Sequence, residues 1–471
     1  MNASCMCPHQ PPRAAYLRGL HWAAAFGLGL AVIGAAHAAA DDAVVGATDV
    51  SRRVEIAGHR AAWATTANDR GPVPADFVLD HLTVQLKRTA QRQQAFDAFL
   101  RAQQDPASPD YRHWLSPREI GARFGASQHD IEAVSDWLSA QGLRVDRVSN
   151  DRQRIRFGGT AANVGAAFAT AIHAYATRDG ARIAHSGPPR IPAALAGAVQ
   201  SVAGLATLRF RPLHRMRGAS GVWPHGAPRP ALTDCQQMPC SHVIFPADFA
   251  SIYDLGPVQQ AGVDGSGQTI AILARERVYG PDIQNFQDLA GLPSRMPTVI
   301  VPPQGTDPGP PASTCNDSTT VTPNCSHPDD AVADQGEATL DVQRAGSIAP
   351  GATIDLIASA NAGSVDGIYV AMDYAIDTDP VPAHVLSISY ATCEADNSQA
   401  VADGLDGYFS QAAMEGISVF VASGDGGVAG CASLDSAPVP GERISTNILC
   451  ASSHVTCVGG TEFADSVDPA M

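Results

Sequence analysis

A chain of 471 residues is too long for one hydrophobic core, so two or more domains are expected. Its 45% hydrophobic and 17% charged residues exclude a disordered chain. The net charge of −16 hides two opposite halves: residues 1–217 hold 25 Lys and Arg against 17 Asp and Glu, whereas residues 218–471 hold 6 against 30. A basic segment ahead of a strongly acidic one predicts mutual attraction, weakening as carboxylates protonate in acid. No aromatic–basic motif argues for nucleic acid as a partner.

Arg13 and Arg18 precede an apolar run from Trp22 to Ala36, and Ala36-His37-Ala38 fits a small-x-small cleavage site. Residues 1–38 therefore read as a secretory signal. No later apolar stretch is long enough to span a bilayer, so a secreted protein without a membrane anchor is expected once the signal is cut. Of 10 cysteines, Cys5 and Cys7 leave with the signal. The remaining Cys235, Cys240, Cys315, Cys325, Cys393, Cys431, Cys450 and Cys457 suit disulfides in an exported protein, and pairing neighbours in order would close four short loops. With no C-x-x-C and no histidine at ligand spacing, no metal site is expected from these residues.

From residue 39 to 208 strands alternate with amphipathic helices, the pattern of a small α/β, ferredoxin-like domain. His81–Leu86 alternates like a strand, and Gln91–Ala102 has helical period. Ser116-Pro117-Arg118-Glu119 is a capping box with proline at the first helical position. Further helices start at Ser127 and Thr160, with strands at Arg154–Phe157 and Ile172–Tyr175. Residues 209–232, rich in Arg, Gly, Pro and His, read as an exposed linker and a processing site. From residue 233 to 471 short apolar runs recur at 269–274, 298–301, 353–359, 384–390, 418–423 and 454–458, with helices at 282–289, 337–347 and 400–415 between them. Buried strands alternating with helices predict a doubly wound parallel sheet, with its chemistry at the carboxyl ends of the strands.

Two places there carry candidate chemistry. Glu337 and Asp341 stand four apart on a predicted helix, so they share one face and one proton. Such a pair serves as a general base in acid, where histidine is protonated, although acidic pairs at this spacing are commonly solvated surface charges. Asp425, in Ser423-Gly424-Asp425-Gly426-Gly427, follows an apolar strand among glycines that let backbone approach a ligand. A protonated acid there donates to a developing oxyanion; the plain alternative is a turn aspartate bonding its own backbone.

In their order along the chain these segments resemble the sedolisin or kumamolisin family, the serine-carboxyl peptidases. Gln103 to Tyr111, His113-Trp114-Leu115-Ser116-Pro117 and Phe124-Gly125 are similar to the family's propeptide signature. The segments from Pro246 to Asp254 and from Asp264 to Ala271 resemble its mature N-terminal region and first core strand. Gly336-Glu337-Ala338-Thr339-Leu340-Asp341 is similar to its catalytic helix, Leu386 to Tyr390 to its substrate-side strand, and Ser423-Gly424-Asp425 to its oxyanion segment. The resemblance implies a subtilisin-like sheet behind a propeptide that inhibits it, and cleavage of proteins or peptides at acid pH. Glu337 would be the base, Asp341 its partner and Asp425 the oxyanion donor; Ser387, Ser389, Tyr390, Ala391, Ser423 and Gly424 would line the substrate.

Three departures stand out. Ala391 replaces the glycine usual beside the substrate backbone. The nucleophile belongs to a Gly-Thr-Ser-x-x-x-Pro motif, but here Gly460-Thr461 is followed by Glu462. Calcium, which the family carries, has its ligands after that serine, and they are absent from this sequence. Arg344, one turn past Asp341 on the same face, is expected to form a surface salt bridge, the alternative being that it perturbs the acidic pair. An Asp-His-Ser subtilisin is excluded, because it needs histidine where Glu337 stands. A truncated, non-catalytic binding or inhibitory protein is the alternative from another functional class.

Overall fold

The alternation at residues 81–86 is the inner part of a nine-residue strand, β1 (Val78–Leu86), in the computed structural model. That structure describes residues 42–44, 49, 51–177, 180–212, 232–234, 241–314, 328–425, 427 and 444–461. The expected signal segment and most of the expected linker lie outside them. β1 joins Arg144–Val148 (β2), Arg154–Thr160 (β3) and Val199–Ala203 (β4) in an antiparallel sheet of order β2-β3-β1-β4.

Four helices accompany this sheet: α1 (Ala90–Gln104), α2 (Pro117–Phe124), α3 (Gln128–Ala140) and α4 (Ala161–Phe168). Each opens on a hydroxyl, Thr89, Ser116, Ser127 and Thr160, whose oxygen accepts a first-turn amide that has no partner inside the helix. At Ser116 the reciprocal bond from its own amide to Glu119 completes the capping box. Val134, Trp137 and Leu138 of α3 and Val164 and Phe168 of α4 share one core with Leu82, Val84, Ile155 and Phe157 of the sheet. Ser127 is only 4% exposed, so its loss strands the Asp130 amide away from water. Ser127→Ala is expected to lower the free energy of unfolding by about 1 kcal/mol, read from urea midpoints.

Beyond a two-residue strand, β5 (Arg211–Pro212), the apolar runs of the acidic half become Thr269–Ala274 (β6), Thr298–Ile300 (β7), Thr353–Ala358 (β8), Val385–Ile388 (β9), Tyr390–Ala391 (β10), Ser418–Ala422 (β11) and Thr456–Val458 (β12). Six of these form an all-parallel sheet of order β7-β8-β6-β9-β11-β12. Alternate residues of β6 serve opposite faces. Ile272 and Ala274 pack with Ile283 of α5 (Gly280–Ala290) and Ala338 and Val342 of α6 (Pro328–Ile348). Ala271 and Leu273 pack with Ile368 and Ala371 of α7 (Gly367–Asp377) and with Leu405 and Phe409 of α8 (Gln399–Met414). Both faces are buried under helices, which is why these strands read as unbroken apolar runs. This is the expected doubly wound sheet.

Cys450 and Cys457 are disulfide-bonded, as pairing in order requires; Cys393 is also in a disulfide, and the other cysteines lie outside the described residues. No helix among the described residues is long and apolar enough to cross a membrane. The two sheet-bearing regions touch at several places, two of which follow. Phe96 and Phe99 of α1, Leu115, and Ile120 and Phe124 of α2 pack with Met414, whose carbonyl accepts from Gln103 Nε2 at 2.9 Å. Arg147, Arg154 and Arg156 on β2 and β3 reach the buried Asp373 and Asp377 of α7.

Candidate active site

In a doubly wound sheet, ligands bind beyond the carboxyl ends of the strands where the strand order reverses. Here the reversal is at β6: its successors β7 and β8 lie on one side, and β9, β11 and β12 on the other. Helix α6 connects β7 to β8 and packs against β6 and β8, bringing its residues to that edge.

Glu337 of α6 is 3% exposed, and Asp341, one turn on, is half-buried. The common fate of such a pair, a solvated helix surface, is therefore excluded. Ser389, directly after β9, donates its hydroxyl to Asp341 Oδ1 at 2.9 Å. Burial, together with the Asp334 and Glu337 carboxylates, raises the Tyr390 phenol, with the Arg275 guanidinium opposing, so Glu337 and Tyr390 are electrostatic neighbours. Glu337, Asp341, Ser389 and Tyr390 thus gather at one end of the sheet. Ser387 lies within β9, half-buried. The Tyr390 side chain is wholly buried in the core, and the Tyr390–Ala391 strand pairs antiparallel with Arg211–Pro212. Ser423, Gly424 and Asp425 follow β11, the neighbour of β9; the Ser423 amide bonds the Val458 carbonyl, Gly424 takes φ 105°, and Asp425 is exposed. A φ of that sign suits glycine and turns the chain sharply off the strand end.

Arg344 corrects the sequence reading. Instead of a surface ion pair, its Nη2 donates to the Ile244 carbonyl at 2.8 Å and its guanidinium lies 5.9 Å from the Phe249 ring. Burial lowers its pKa, and it forms no ion pair among the described residues. Its carbon stem and flat head suit this partly apolar niche.

Several site-building residues carry no sequence signal. Arg275, first past β6, is 7% exposed and bonds Asp334 Oδ1 at 2.6 Å and Asp366 Oδ2 at 3.1 Å. Asn447, 2% exposed, donates to the Tyr390 carbonyl at 3.0 Å and the Ala422 carbonyl at 3.1 Å, tying β10 to the end of β11. Partners this far apart in sequence are brought together only by the fold. As for metals, Asp42, His129 and Asp130 lie within ligating reach of one another, but the Asp130 oxygens already accept the Ala43 and Val44 amides.

Glu276 follows Arg275. Burial pushes its carboxyl up to about 7, against the bond from the Arg277 amide and with help from Asp334. The folded protein therefore holds this proton more tightly than the unfolded chain does. The resulting stabilisation is complete below about pH 4 and disappears as pH rises through about 7. Glu276→Gln is expected to shrink the stability lost between pH 5 and pH 8 by about 1–2 kcal/mol, read from urea midpoints at both pH values.

Residues 65–208, which carry the antiparallel sheet, match the family described as "Pro-kumamolisin, activation domain". Over 423 residues the chain is 28% identical to kumamolisin of Bacillus sp. (strain MN-32), covering 88% of this chain and 68% of that protein. It is 28% identical to sedolisin of Pseudomonas sp. (strain 101) over 81% of this chain and 59% of sedolisin. Xanthomonalisin of Xanthomonas sp. (strain T-22) is 25% identical over 82% of this chain and 46% of its own length. A solved structure of Pseudomonas sedolisin, a serine-carboxyl proteinase, shares 27% identity over 46% of this chain and 53% of its own, with a TM-score of 0.32. The chain thus spans between about half and two thirds of the relatives it matches. The segment similar to that activation domain stands ahead of the parallel sheet.

Proposed function

We propose that this chain is the activation domain and most of the catalytic core of an exported, acid-acting serine-carboxyl endopeptidase. The observation that carries the reading is the burial of Glu337 one turn from Asp341, with Ser389 holding Asp341 at the carboxyl edge of the sheet. A carboxylate with a second carboxyl one turn away can accept another group's proton. Glu337 takes the proton of the nucleophilic serine as its oxygen attacks a peptide carbonyl, and Asp341 orients Glu337. A protonated Asp425, beyond β11, donates to the tetrahedral oxyanion. Collapse expels the amine, which takes the proton back from Glu337; water then releases the acyl group by the same steps in reverse order.

The extended substrate backbone would pair beside β9 and β10, where Ser387, Ser389, Ala391, Ser423 and Gly424 lie. The nucleophile is not in these residues, since no Gly-Thr-Ser occurs in the 471. Reading the coding DNA past Met471 tests the proposal: an in-frame Gly-Thr-Ser-x-x-x-Pro is the expected result. A stop codon there would replace this reading with that of a binding or inhibitory protein.

A further inference from the structure

The end of the activation domain does not leave as a loose linker. Arg209 donates to the Gly363 carbonyl at 2.9 Å and the Val365 carbonyl at 3.4 Å. Phe210 is 2% exposed, within the core that includes Leu273, Ile388 and Tyr390 of the parallel sheet. Both its backbone groups are taken: its amide donates to Asp366 Oδ2 at 2.9 Å, and its carbonyl accepts from Arg275 Nη1 at 2.9 Å. Arg211 and Pro212 then pair antiparallel with Ala391 and Tyr390.

The groups that hold Phe210 also have partners of their own. Arg275 is anchored by Asp334 of α6 and by Asp366, whose other oxygen caps α7 at the Ile368 amide. With Phe210 seated, Arg275 and Asp366 are 7% and 1% exposed, so their bonds to its backbone are shielded from water. A donor and an acceptor spaced for one residue's backbone, beside an apolar seat and two carbonyls aimed at a cation, constitute a recognition site for an extended peptide.

We infer that Arg275, Asp366 and the carbonyls of Gly363 and Val365 form a binding site for an extended peptide bearing arginine followed by a large aromatic residue, and that Arg209-Phe210 is its built-in occupant. A peptide from another chain takes the site when this segment is absent. The inference requires no catalysis, so it stands or falls separately from the peptidase reading.

The test uses the full chain with residues 209–212 replaced by Gly-Ser-Gly-Ser and a fluorescent peptide of the native sequence 207–213. Anisotropy is expected to show saturable binding, at least tenfold weaker for the peptide carrying Asp in place of Phe and at least tenfold weaker to the intact chain, whose own tail fills the site. Equal binding of the two peptides, or equal binding to the two chains, would overturn the inference. Should the replaced chain fail to fold, Phe210→Ala decides by hydrogen exchange over residues 208–212. The native-sequence peptide should speed exchange there by displacing the weakened tail, and the Asp peptide should not; identical exchange with both peptides refutes the site.

Discussion

Replacing Asp377 by alanine is expected to destabilise the chain by about 3–5 kcal/mol, the range for removing one partner of a buried ion cluster. Asp377 is wholly buried on α7, yet the groups it satisfies come largely from the region of the antiparallel sheet. Its oxygens accept from Arg147 at 2.8 Å, the Asn150 amide at 3.0 Å, the Asp151 amide at 3.3 Å and Arg154 at 3.5 Å. Removing it leaves two guanidiniums and two amides facing a cavity that water fills poorly. Urea unfolding at pH 7 measures the loss, and a double-mutant cycle with Arg147→Ala isolates the pair. A coupling well above 1 kcal/mol is expected, against the 0–1 kcal/mol of surface pairs. Additive losses would mean that the two groups do not sense each other.

This cluster also refines the expectation that acid loosens the two halves. Burial raises the Asp377 carboxyl to about 6 against the Arg154 guanidinium, so relative to the unfolded chain this group stabilises the fold fully below about pH 4, an effect lost as pH rises through about 6. Asp373 acts in the opposite sense. Burial works to raise it, but Arg156, Arg147 and Arg154 together hold it below its ordinary value. Its stabilisation is present above about pH 4 and is lost only as pH falls through the lowered value. Net charge alone did not distinguish these two aspartates, because burial and partner count decide the sign at each.

What was legible in the sequence follows from how each feature is made. The strands of the parallel sheet were visible because burial on both faces leaves no polar position to break the run. Helix starts at Ser116, Ser127 and Thr160 were visible because a cap is a local contact. Helix α7 was not anticipated. Buried residues occur all round it, including Ile368, Val370, Met372, Asp373 and Asp377, which removes the polar stripe that marks a surface helix. The site divides in the same way. The four-residue spacing of Glu337 and Asp341 is written in the sequence; the burial of Glu337, the Ser389 bond and the clamps by Arg275 and Asn447 are long-range consequences of folding. Residues 209–212 read as linker from their composition, yet Phe210 is held at both backbone atoms, because tertiary contacts override what Arg, Pro and Gly suggest.

The central claim is that Glu337 is a base built to work in acid, and its most direct measurement is self-processing of the precursor expressed from its full coding sequence. At about pH 4 an imidazole carries its proton and cannot accept another, so a carboxyl is the side chain suited to a base there. Glu337→Gln keeps the size and hydrogen-bonding outline of the side chain and removes only its basicity. Its rate of conversion to the shorter form is expected to fall by about 10²–10⁴-fold, with an unchanged urea midpoint at pH 7. Conversion of the folded glutamine variant at the parent's rate would contradict the account.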